Sequence, residues 1–254
     1  MIDYASKTAL ITGASSGIGA EFAREFAARG ANLVIVARDM QQLQAMAAEL
    51  HAARGVTVTP IEWDLSLPGA GTHLVAELAQ RGIRVDVLVN SAGFGTHGTV
   101  VETDPALLSQ EMNVNMNALA ETTRGFLAPM LEANSGVIIN IASLAAFAPR
   151  PQHAMYSATK AFVLSFTQAI WGELRGTGVR ITAVCPGPTS TNFFKVSGTP
   201  IPGGKAQPAS AVVTAALTAI EHDKPRNVPA PAVMKIAMKV MGLLPVTASL
   251  KASK

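Results

Sequence analysis

The sequence predicts a single domain built on a doubly wound α/β sheet of parallel strands, and three observations point to it. The chain has 254 residues, a common length for one large α/β domain. Hydrophobic residues make up 49% of it and charged residues only 15%, which suits a large buried core. Short, continuous apolar runs alternate with helical patterns, as expected where helices cover both faces of a parallel sheet.

Six apolar runs are the predicted strands. In chain order they comprise residues 8–12, 32–37, 56–63, 85–90, 137–142 and 179–184. Helical patterns follow them: Ile18, Phe22 and Phe26 share one face after the first run, residues 41–53 form a helix after the second, and a long helix begins at Tyr156 after the fifth. The Pro- and Gly-rich residues 188–210 follow the sixth run and predict a loop that covers a ligand.

Composition and charge exclude several classes of protein. The net charge of +3 comes from 20 basic and 17 acidic residues without a basic run, so nucleic-acid binding is not expected. The single cysteine, Cys185, allows no internal disulfide, lies in an apolar run and fits a reducing, cytoplasmic setting. We predict neither a secretory signal nor a transmembrane helix, because no apolar stretch is long enough. The five histidines lack metal-ligand spacing, so no metal site is predicted.

The segment between the first run and the first helix has the composition of a phosphate-binding turn. Its first glycine permits a tight turn, its second lets the backbone approach a pyrophosphate, and its third lets the helix pack closely on the strand. The helix start offers free N–H groups to an anion. We predict that a dinucleotide contacts Gly13, Ser15, Ser16, Gly17, Ile18 and Gly19. The segment also fits the G-x-S-x-G elbow of serine hydrolases, but no downstream acid and histidine form a convincing set with it.

The ends of the next strands bear on which dinucleotide binds. An acidic residue after the second strand would bond the ribose 2′-hydroxyl of NAD, whereas an arginine would pair with the 2′-phosphate of NADP. Arg38, directly after Ala37, favours NADP(H), while Asp39 leaves NAD(H) open as the less favoured alternative. Further predicted cofactor contacts follow the third and fourth runs: Asp64, Leu65, Asn90, Ala92 and Gly93.

A tyrosine and a lysine point to acid–base chemistry. Tyr156 and Lys160 are four residues apart and so share one face of the predicted helix. A lysine ammonium beside a phenol is expected to lower the tyrosine pKa, which makes the phenol a usable proton donor and acceptor near neutral pH. Ser143 follows the fifth run, at the sheet edge where ligands bind, and its hydroxyl is expected to bond a substrate oxygen.

Together these features resemble the short-chain dehydrogenase/reductase family over roughly residues 5–230. The matching pieces are TGASSGIG at 12–19, NSAG at 90–93, Ser143, YSATK at 156–160, and Pro186-Gly187 with Thr191. The resemblance implies a Rossmann domain with seven parallel strands, usually assembled into dimers or tetramers. Ser91 departs from the family, which more often has asparagine there, and this change is expected to be tolerated.

The resemblance also implies roles for individual residues. Tyr156 matches the catalytic acid/base, Lys160 the residue that binds the nicotinamide ribose, and Ser143 the substrate-orienting serine. Asn115 resembles the helix asparagine that helps hold a water in the proton relay, although Asn113 and Asn117 lie nearby. The segment that contacts the nicotinamide side is matched by Pro186, Gly187, Thr189 and Thr191.

The resulting hypothesis is an NADP(H)-dependent oxidoreductase that transfers a hydride between the nicotinamide and a carbonyl or secondary alcohol. Its catalytic domain comprises residues 1–230 with the substrate loop 188–210, and residues 231–254 form a helical extension. Phe193, Phe194, Val196 and Ile201 hint at a hydrophobic substrate. The alternative is an NADP-binding sensor or scaffold without turnover. Residues 233–243 also resemble an interfacial amphipathic helix, but packing over the cleft or an oligomer interface is the preferred interpretation and membrane association is not expected.

Overall fold

Seven parallel strands form one sheet in the order β3-β2-β1-β4-β5-β6-β7. The computed structural model describes residues 2–197, 199, 201 and 204–229, with the backbone alone at 195 and 196. The strands are β1 (Thr8–Thr12), β2 (Asn32–Ala37), β3 (Val58–Glu62), β4 (Val87–Asn90), β5 (Gly136–Ile141), β6 (Val179–Val184) and β7 (Arg226–Asn227). The chain order reverses between β1 and β4, and ligands bind at such a switch point, outside the carboxyl ends of the strands.

Helices cover both faces of the sheet. They are α1 (Gly17–Ala28), α2 (Met40–Arg54), α3 (Ala70–Gln80), α4 (Pro105–Met112), α5 (Leu119–Glu132), α6 (Ala154–Glu173), α7 (Phe193–Ser197) and α8 (Ala209–Glu221). A π-helical segment, Asn113–Ala118, joins α4 to α5, and a 3₁₀ turn, Leu144–Phe147, follows β5.

Two apolar layers hold the sheet between its helices. The layer with Ile11, Ile35 and Val89 packs against α1, α2 and α8. The opposite layer, with Leu10, Leu88 and Ile138, packs against α3, α5 and α6. Successive strand residues therefore point to opposite faces and both faces are buried, which explains why the strands appear in the sequence as continuous apolar runs.

The predicted doubly wound parallel sheet is confirmed, and the bounds of β1, β2 and β6 match their apolar runs. β3 and β4 begin two residues later than predicted, since residues 56–57 and 85–86 precede the ladder that pairs these strands with β2 and β1. The helix that carries Tyr156 begins at Ala154, before the tyrosine. Among the described residues, no helix has both the length and the apolarity to cross a bilayer. The predicted extension 231–254 lies outside the described residues.

Candidate active site

The glycine-rich turn lies at the carboxyl end of β1, beside the switch point. Gly13 has φ +67° and lies so close to the end of β4 that an added Cβ would be 2.8 Å from the Cα of Ala92. Gly17 has φ +58°, and a side chain at Gly19 would collide with the Gly13 carbonyl oxygen. Both features require glycine, because positive φ and close backbone approach are costly for other residues.

Thr12 joins the ends of β1 and β4. Its buried hydroxyl accepts hydrogen bonds from the backbone N–H groups of Ser91 and Ala92, each at 3.1 Å. Helix α1 begins at once after the turn, and its N-cap Ser16 makes no side-chain capping bond. The first-turn N–H groups of α1 therefore point toward the switch point without a side-chain acceptor among the described residues, as an anion site requires.

The structure separates the two candidate residues after β2. Asp39 is the N-cap of α2, and its carboxylate accepts a hydrogen bond from the backbone N–H of Gln42 at 3.0 Å. Arg38 is exposed and forms no salt bridge with any of the described residues. The Asp39 carboxylate is thus occupied in capping α2, whereas the Arg38 guanidinium is available to a ligand.

Asp64 and Leu65 lie after β3, next to Arg38. Burial favours a raised pKa for Asp64, but hydrogen bonds from Ser66 and the nearby charge of Arg38 outweigh it, so the pKa of Asp64 is lowered. The Asp64 carboxylate accepts the Ser66 backbone N–H at 2.9 Å, and Leu65 is buried. Asp64 is therefore held as a charged acceptor near the exposed guanidinium.

Asn90 links neighbouring elements of the core through its side-chain hydrogen bonds. Its side-chain amide donates to the side chains of Thr123 and Asn140 at 3.1 and 3.0 Å, and its oxygen accepts the hydroxyl hydrogen of Thr122 at 2.9 Å. Its side chain is buried and engaged in these bonds. Asn90 thus ties β4 to β5 and α5. Three residues later, Gly93 lies beside Lys160, so that an added Cβ would be 3.3 Å from the Lys160 Nζ.

Tyr156, Lys160 and Ser143 meet where β5 ends and α6 begins. Tyr156 and Lys160 lie one turn apart on α6, and the Lys160 Nζ is 5.8 Å from the centroid of the Tyr156 ring. The ammonium donates to the Ile141 carbonyl oxygen at 2.9 Å, which anchors it at the end of β5. Ser143 caps the 3₁₀ turn by accepting the Ala145 N–H at 3.1 Å, and its hydroxyl lies close enough to Tyr156 to influence its ionisation.

The expected lowering of the tyrosine pKa is wrong for this structure. Burial raises the pKa of Tyr156 to about 12; the Ser143 hydrogen bond and the charge of Arg150 act downward, and Glu111 acts upward. Burial also lowers the pKa of Lys160 to about 8, although the charge of Glu111 opposes that change. Lys160 is buried and Tyr156 is partly buried, so desolvation favours the neutral form of each and exceeds the effect of neighbouring charges.

The geometry distinguishes Asn115 from the two asparagines near it. Asn113 donates to the Ser66 carbonyl and Asn117 donates to Asn113, so both side-chain amides have partners outside α6. Asn115 is fully buried, and its amide donates to the Phe94 carbonyl at 2.8 Å and to the Thr159 hydroxyl at 3.1 Å. It lies in the π-helical segment, a local irregularity that often accompanies functional sites.

The loop after β6 closes one side of the site. Pro186 and Gly187 follow the strand, and the buried Thr189 pairs with Gln207, which joins the two ends of the loop. Thr191 lies against the glycine-rich turn, so that a Cβ on Gly17 would be 3.0 Å from its methyl carbon. The ring of Phe193 in α7 packs 5.2 Å from that of Tyr156. Three other apolar residues were predicted to indicate a hydrophobic substrate. Phe194 packs against Phe193, and Ile201 is exposed. The Val196 side chain is outside the part of the chain that the structure describes.

Several residues at the site were not predicted from the sequence. Thr12 and Thr159 bond to site residues, Gly95 lies against Tyr156, and Glu111 bonds to Thr96. Single threonines, one glycine in a loop and one acid in a helix gave little signal in the sequence. The rings of His97 and His153 lie side by side, with the His97 Nδ1 and the His153 Nε2 3.3 Å apart. Burial raises the pKa of Cys185 to about 12, as expected for an inert thiol. No cluster of three potential metal ligands occurs in the described ranges.

Comparison with known proteins decides the family. The family model for short chain dehydrogenases matches residues 7–200. The chain belongs to the short-chain dehydrogenase/reductase family. An uncharacterized oxidoreductase of Staphylococcus saprophyticus is 36% identical to it over 191 residues, which cover 75% of this chain and 82% of that protein.

Solved structures of the family share its fold. A short-chain dehydrogenase from Sphingobium yanoikuyae in complex with NADPH is 32% identical, with a TM-score of 0.83 over 94% of this chain and 96% of that one. A short-chain dehydrogenase/reductase from Burkholderia phymatum in complex with NAD is 27% identical, with a TM-score of 0.84 over 94% of each chain. These two relatives differ in cofactor, so similarity alone does not choose between NADP and NAD.

Proposed function

We propose that this chain is an NADP(H)-dependent oxidoreductase that interconverts a carbonyl compound and a secondary alcohol, with Tyr156 as the acid/base. The observation that carries the proposal is the meeting of Tyr156, Ser143 and Lys160 beside the switch point of the sheet. In that place a phenol and a serine hydroxyl can bond to one substrate oxygen, while the glycine-rich turn lies at the end of β1, which β4 separates from β5.

The residues present fit a nicotinamide dinucleotide. The uncapped start of α1 and the glycines of the turn suit a pyrophosphate, because backbone N–H groups are free and no Cβ fills the space. Arg38 and Asp64 would hold the adenosine end, and Gly93, Lys160, Gly187 and Thr191 the nicotinamide end. When bound, the cofactor supplies a hydride at C4 of its nicotinamide ring.

The protein supplies the proton and the orientation. With its pKa raised to about 12, Tyr156 carries its proton at neutral pH, the state required to protonate a carbonyl oxygen during reduction. The carbonyl carbon gains the hydride and its oxygen gains the phenolic proton, which yields the alcohol. Ser143 holds that oxygen by a hydrogen bond, and Phe193 excludes water from one side of the Tyr156 ring.

Arg38 supports the preference for NADP(H). Its guanidinium is exposed at the end of β2, where a ribose 2′-phosphate would lie, whereas the carboxylate of Asp39 is held by the start of α2. Charge-assisted bonds to a phosphate contribute ~1.5–3 kcal/mol, so loss of Arg38 would weaken NADPH binding ~10- to 100-fold. NADH lacks that phosphate and would bind with little change.

The test measures cofactor binding by fluorescence in the wild type, Arg38→Ala and Asp39→Ala. We expect Arg38→Ala to raise the Kd of NADPH ~10-fold or more and to change the Kd of NADH by less than about twofold. Asp39→Ala is the matched control, because it removes a neighbouring charge and a helix cap but no phosphate partner. Tighter binding of NADH than NADPH by the wild type, or equal loss of both in Arg38→Ala, contradicts the assignment.

The substrate class is tested by NADPH oxidation with a panel of aliphatic and aromatic ketones and aldehydes. The aromatic side chains around Tyr156 favour hydrophobic carbonyl compounds, so we expect the fastest turnover with the larger apolar ketones. Tight NADPH binding without turnover on any member of the panel favours a sensor or scaffold instead. A homodimer or homotetramer and a cytoplasmic location stay predictions from the sequence, the former open to light scattering.

A further inference from the structure

Glu111 is a fully buried acid beside the site that the proposed chemistry does not use. It lies near the end of α4 and has no exposed surface. Its Oε2 accepts two hydrogen bonds from Thr96, from the hydroxyl at 2.6 Å and from the backbone N–H at 3.1 Å. Its Oε1 is buried without a hydrogen-bond partner among the described residues. A buried polar atom without a partner is costly, which points to a role beyond stability.

Glu111 acts on the same loop as Asn115. The two residues are four apart, across the junction of α4 with the π-helical segment. Asn115 holds Phe94 from both sides: it donates to the carbonyl at 2.8 Å and accepts the N–H at 3.2 Å. Glu111 holds Thr96, the residue two positions later. The short loop 94–96 is therefore fixed at both ends by side chains from one helical segment.

Gly95, the residue between the two fixed positions, lies against Tyr156. An added Cβ would be 2.8 Å from the Tyr156 Cδ2 and 3.1 Å from the Phe193 Cζ. Gly95 thus packs against the edge of the Tyr156 ring, and Phe193 lies close to both residues. A shift of the loop by a fraction of an ångström would open space beside the phenol or press on it.

We infer that Glu111 is a positioning residue for the proposed reaction, which with Asn115 fixes loop 94–96 so that Gly95 holds the Tyr156 ring in place. The inference rests on the proposed function of Tyr156. Glu111 also lies near enough for its charge to influence Tyr156 and Lys160. Burial raises the pKa of Glu111, and the Thr96 hydrogen bonds and the Lys160 charge oppose that effect.

The test uses NMR to measure the contact between Gly95 and Tyr156 directly, in protein without cofactor. The chain has two tyrosines, so Tyr4→Phe in every sample leaves Tyr156 as the single labelled tyrosine. We compare the nuclear Overhauser contact from the Gly95 α-protons to the Tyr156 ring in Glu111→Gln, Thr96→Val and Thr96→Ser. Thr96→Ser is the conservative variant, because it keeps the hydroxyl that donates to Glu111.

Glu121→Gln is the matched control. The Glu121 carboxylate also accepts two hydrogen bonds, from the backbone N–H groups of Gly71 and Thr72 at the start of α3, but it does not bond to loop 94–96. We expect the Gly95–Tyr156 contact to weaken in Glu111→Gln, because a neutral amide oxygen accepts the Thr96 hydrogen bonds more weakly than a carboxylate, and in Thr96→Val, because the hydroxyl donor is lost. We expect it to stay unchanged in Thr96→Ser and Glu121→Gln. Should Glu111→Gln fail to fold, Thr96→Val, which exchanges a hydroxyl for a methyl group, decides the question.

Turnover provides the second readout. Misplacement of the phenol is expected to lower kcat ~10- to 100-fold in Glu111→Gln, with the Kd of NADPH changed by less than about twofold. An unchanged Gly95–Tyr156 contact in both Glu111→Gln and Thr96→Val overturns the inference. If the proposed function is wrong, the wild type will turn over no ketone. The NMR comparison does not depend on turnover, so it still shows whether Glu111 holds Gly95 against Tyr156.

Discussion

The two halves of the sheet differ in what their interiors contain. Around β1, β2 and β3 the buried side chains are apolar, and Thr12 is the only buried polar residue among the described residues before Asn90. Around β4, β5 and α6, buried asparagines and threonines bond to one another, and the buried Lys160 donates to the Ile141 carbonyl oxygen. Nearby, the buried Glu111 accepts hydrogen bonds from Thr96. In the proposed function, the first half would hold the cofactor through backbone at its edge, whereas the second would place side chains for chemistry.

This difference has a physical reason. A phosphate cradle needs N–H groups and small residues, which glycines supply without any polar group in the core. A phenol and an ammonium beside a substrate must be held inside the protein, so every neighbouring polar group needs a partner of its own. The network from Asn90 through Asn140 to Thr167 supplies such partners beneath the site.

The largest expected effect on stability lies in the apolar half. Phe22 in α1 has no exposed surface and packs against Phe26, with ring centroids 6.0 Å apart. Phe22→Ala leaves a cavity and is expected to lower the free energy of unfolding by about 3–5 kcal/mol in a denaturant titration. Leu67→Ala, at a residue that is 60% exposed, is the control and is expected to change it by less than about 0.5 kcal/mol. Equal effects of both changes would contradict this description of the core.

The second prediction concerns the pH dependence of stability. Burial lowers the pKa of Lys160 from 10.5 to about 8, so between these values the unfolded chain binds more protons at this residue than the folded one. Stability contributed by Lys160 therefore rises with pH across that range, by up to about 3 kcal/mol. Unfolding of the wild type and Lys160→Met at several pH values tests this.

The difference between those two proteins reports mainly the lysine, together with its effect on the neighbouring Cys185. The pKa values of Tyr4, Tyr156 and Cys185 are all raised by burial, so these groups lower stability above their ordinary pKa values in both proteins. We expect the wild type to gain stability relative to Lys160→Met as the pH rises. A difference that stays constant or reverses would show that Lys160 does not lose its proton early in the folded state.

A smaller effect is expected from the buried network. Asn140 accepts a hydrogen bond from Asn90 and donates one to the Thr167 hydroxyl, each at 3.0 Å. Asn140→Ala leaves both partners buried with one bond fewer, and we expect the free energy of unfolding to fall by about 1–3 kcal/mol. Urea unfolding measures it, and a change near zero would mean that water replaces the amide.

The smallest expected effect has the opposite sign. Thr182 in β6 is fully buried, and its hydroxyl has no hydrogen-bond partner among the described residues. Thr182→Val keeps the shape and removes the polar group, so we expect about 1 kcal/mol of stabilisation in the same urea experiment. Destabilisation by Thr182→Val would show that the hydroxyl has a partner, such as a buried water.

The parts of the site that could be predicted from the sequence are local. The glycine-rich turn and the Tyr156–Lys160 pair are each encoded in a few adjacent residues, and the long apolar runs define β1, β2 and β6. The two-residue strand β7 has no apolar pattern of its own, and only the family resemblance implied a seventh strand.

The parts that could not be predicted depend on distant residues. The bond from the Ala92 N–H to Thr12 joins residues 80 positions apart, and the bond from Thr96 to Glu111 joins loop to helix. The direction of the Tyr156 pKa shift likewise follows from burial by the whole fold rather than from its spacing to Lys160. Sequence spacing shows which groups share a face, but not how far each is removed from water.

The central claim, that Tyr156 protonates a carbonyl oxygen beside the cofactor site, is tested most directly with NADPH that carries deuterium at both C4 positions and the fastest ketone of the panel. We predict deuterium on the carbinol carbon, ~10²–10⁴-fold slower product formation in Tyr156→Phe, and unchanged NADPH binding. Tyr4→Phe, which alters the other tyrosine, buried against Phe26, should react like the wild type. Product formation by Tyr156→Phe at the wild-type rate, or an alcohol without deuterium, would contradict the account.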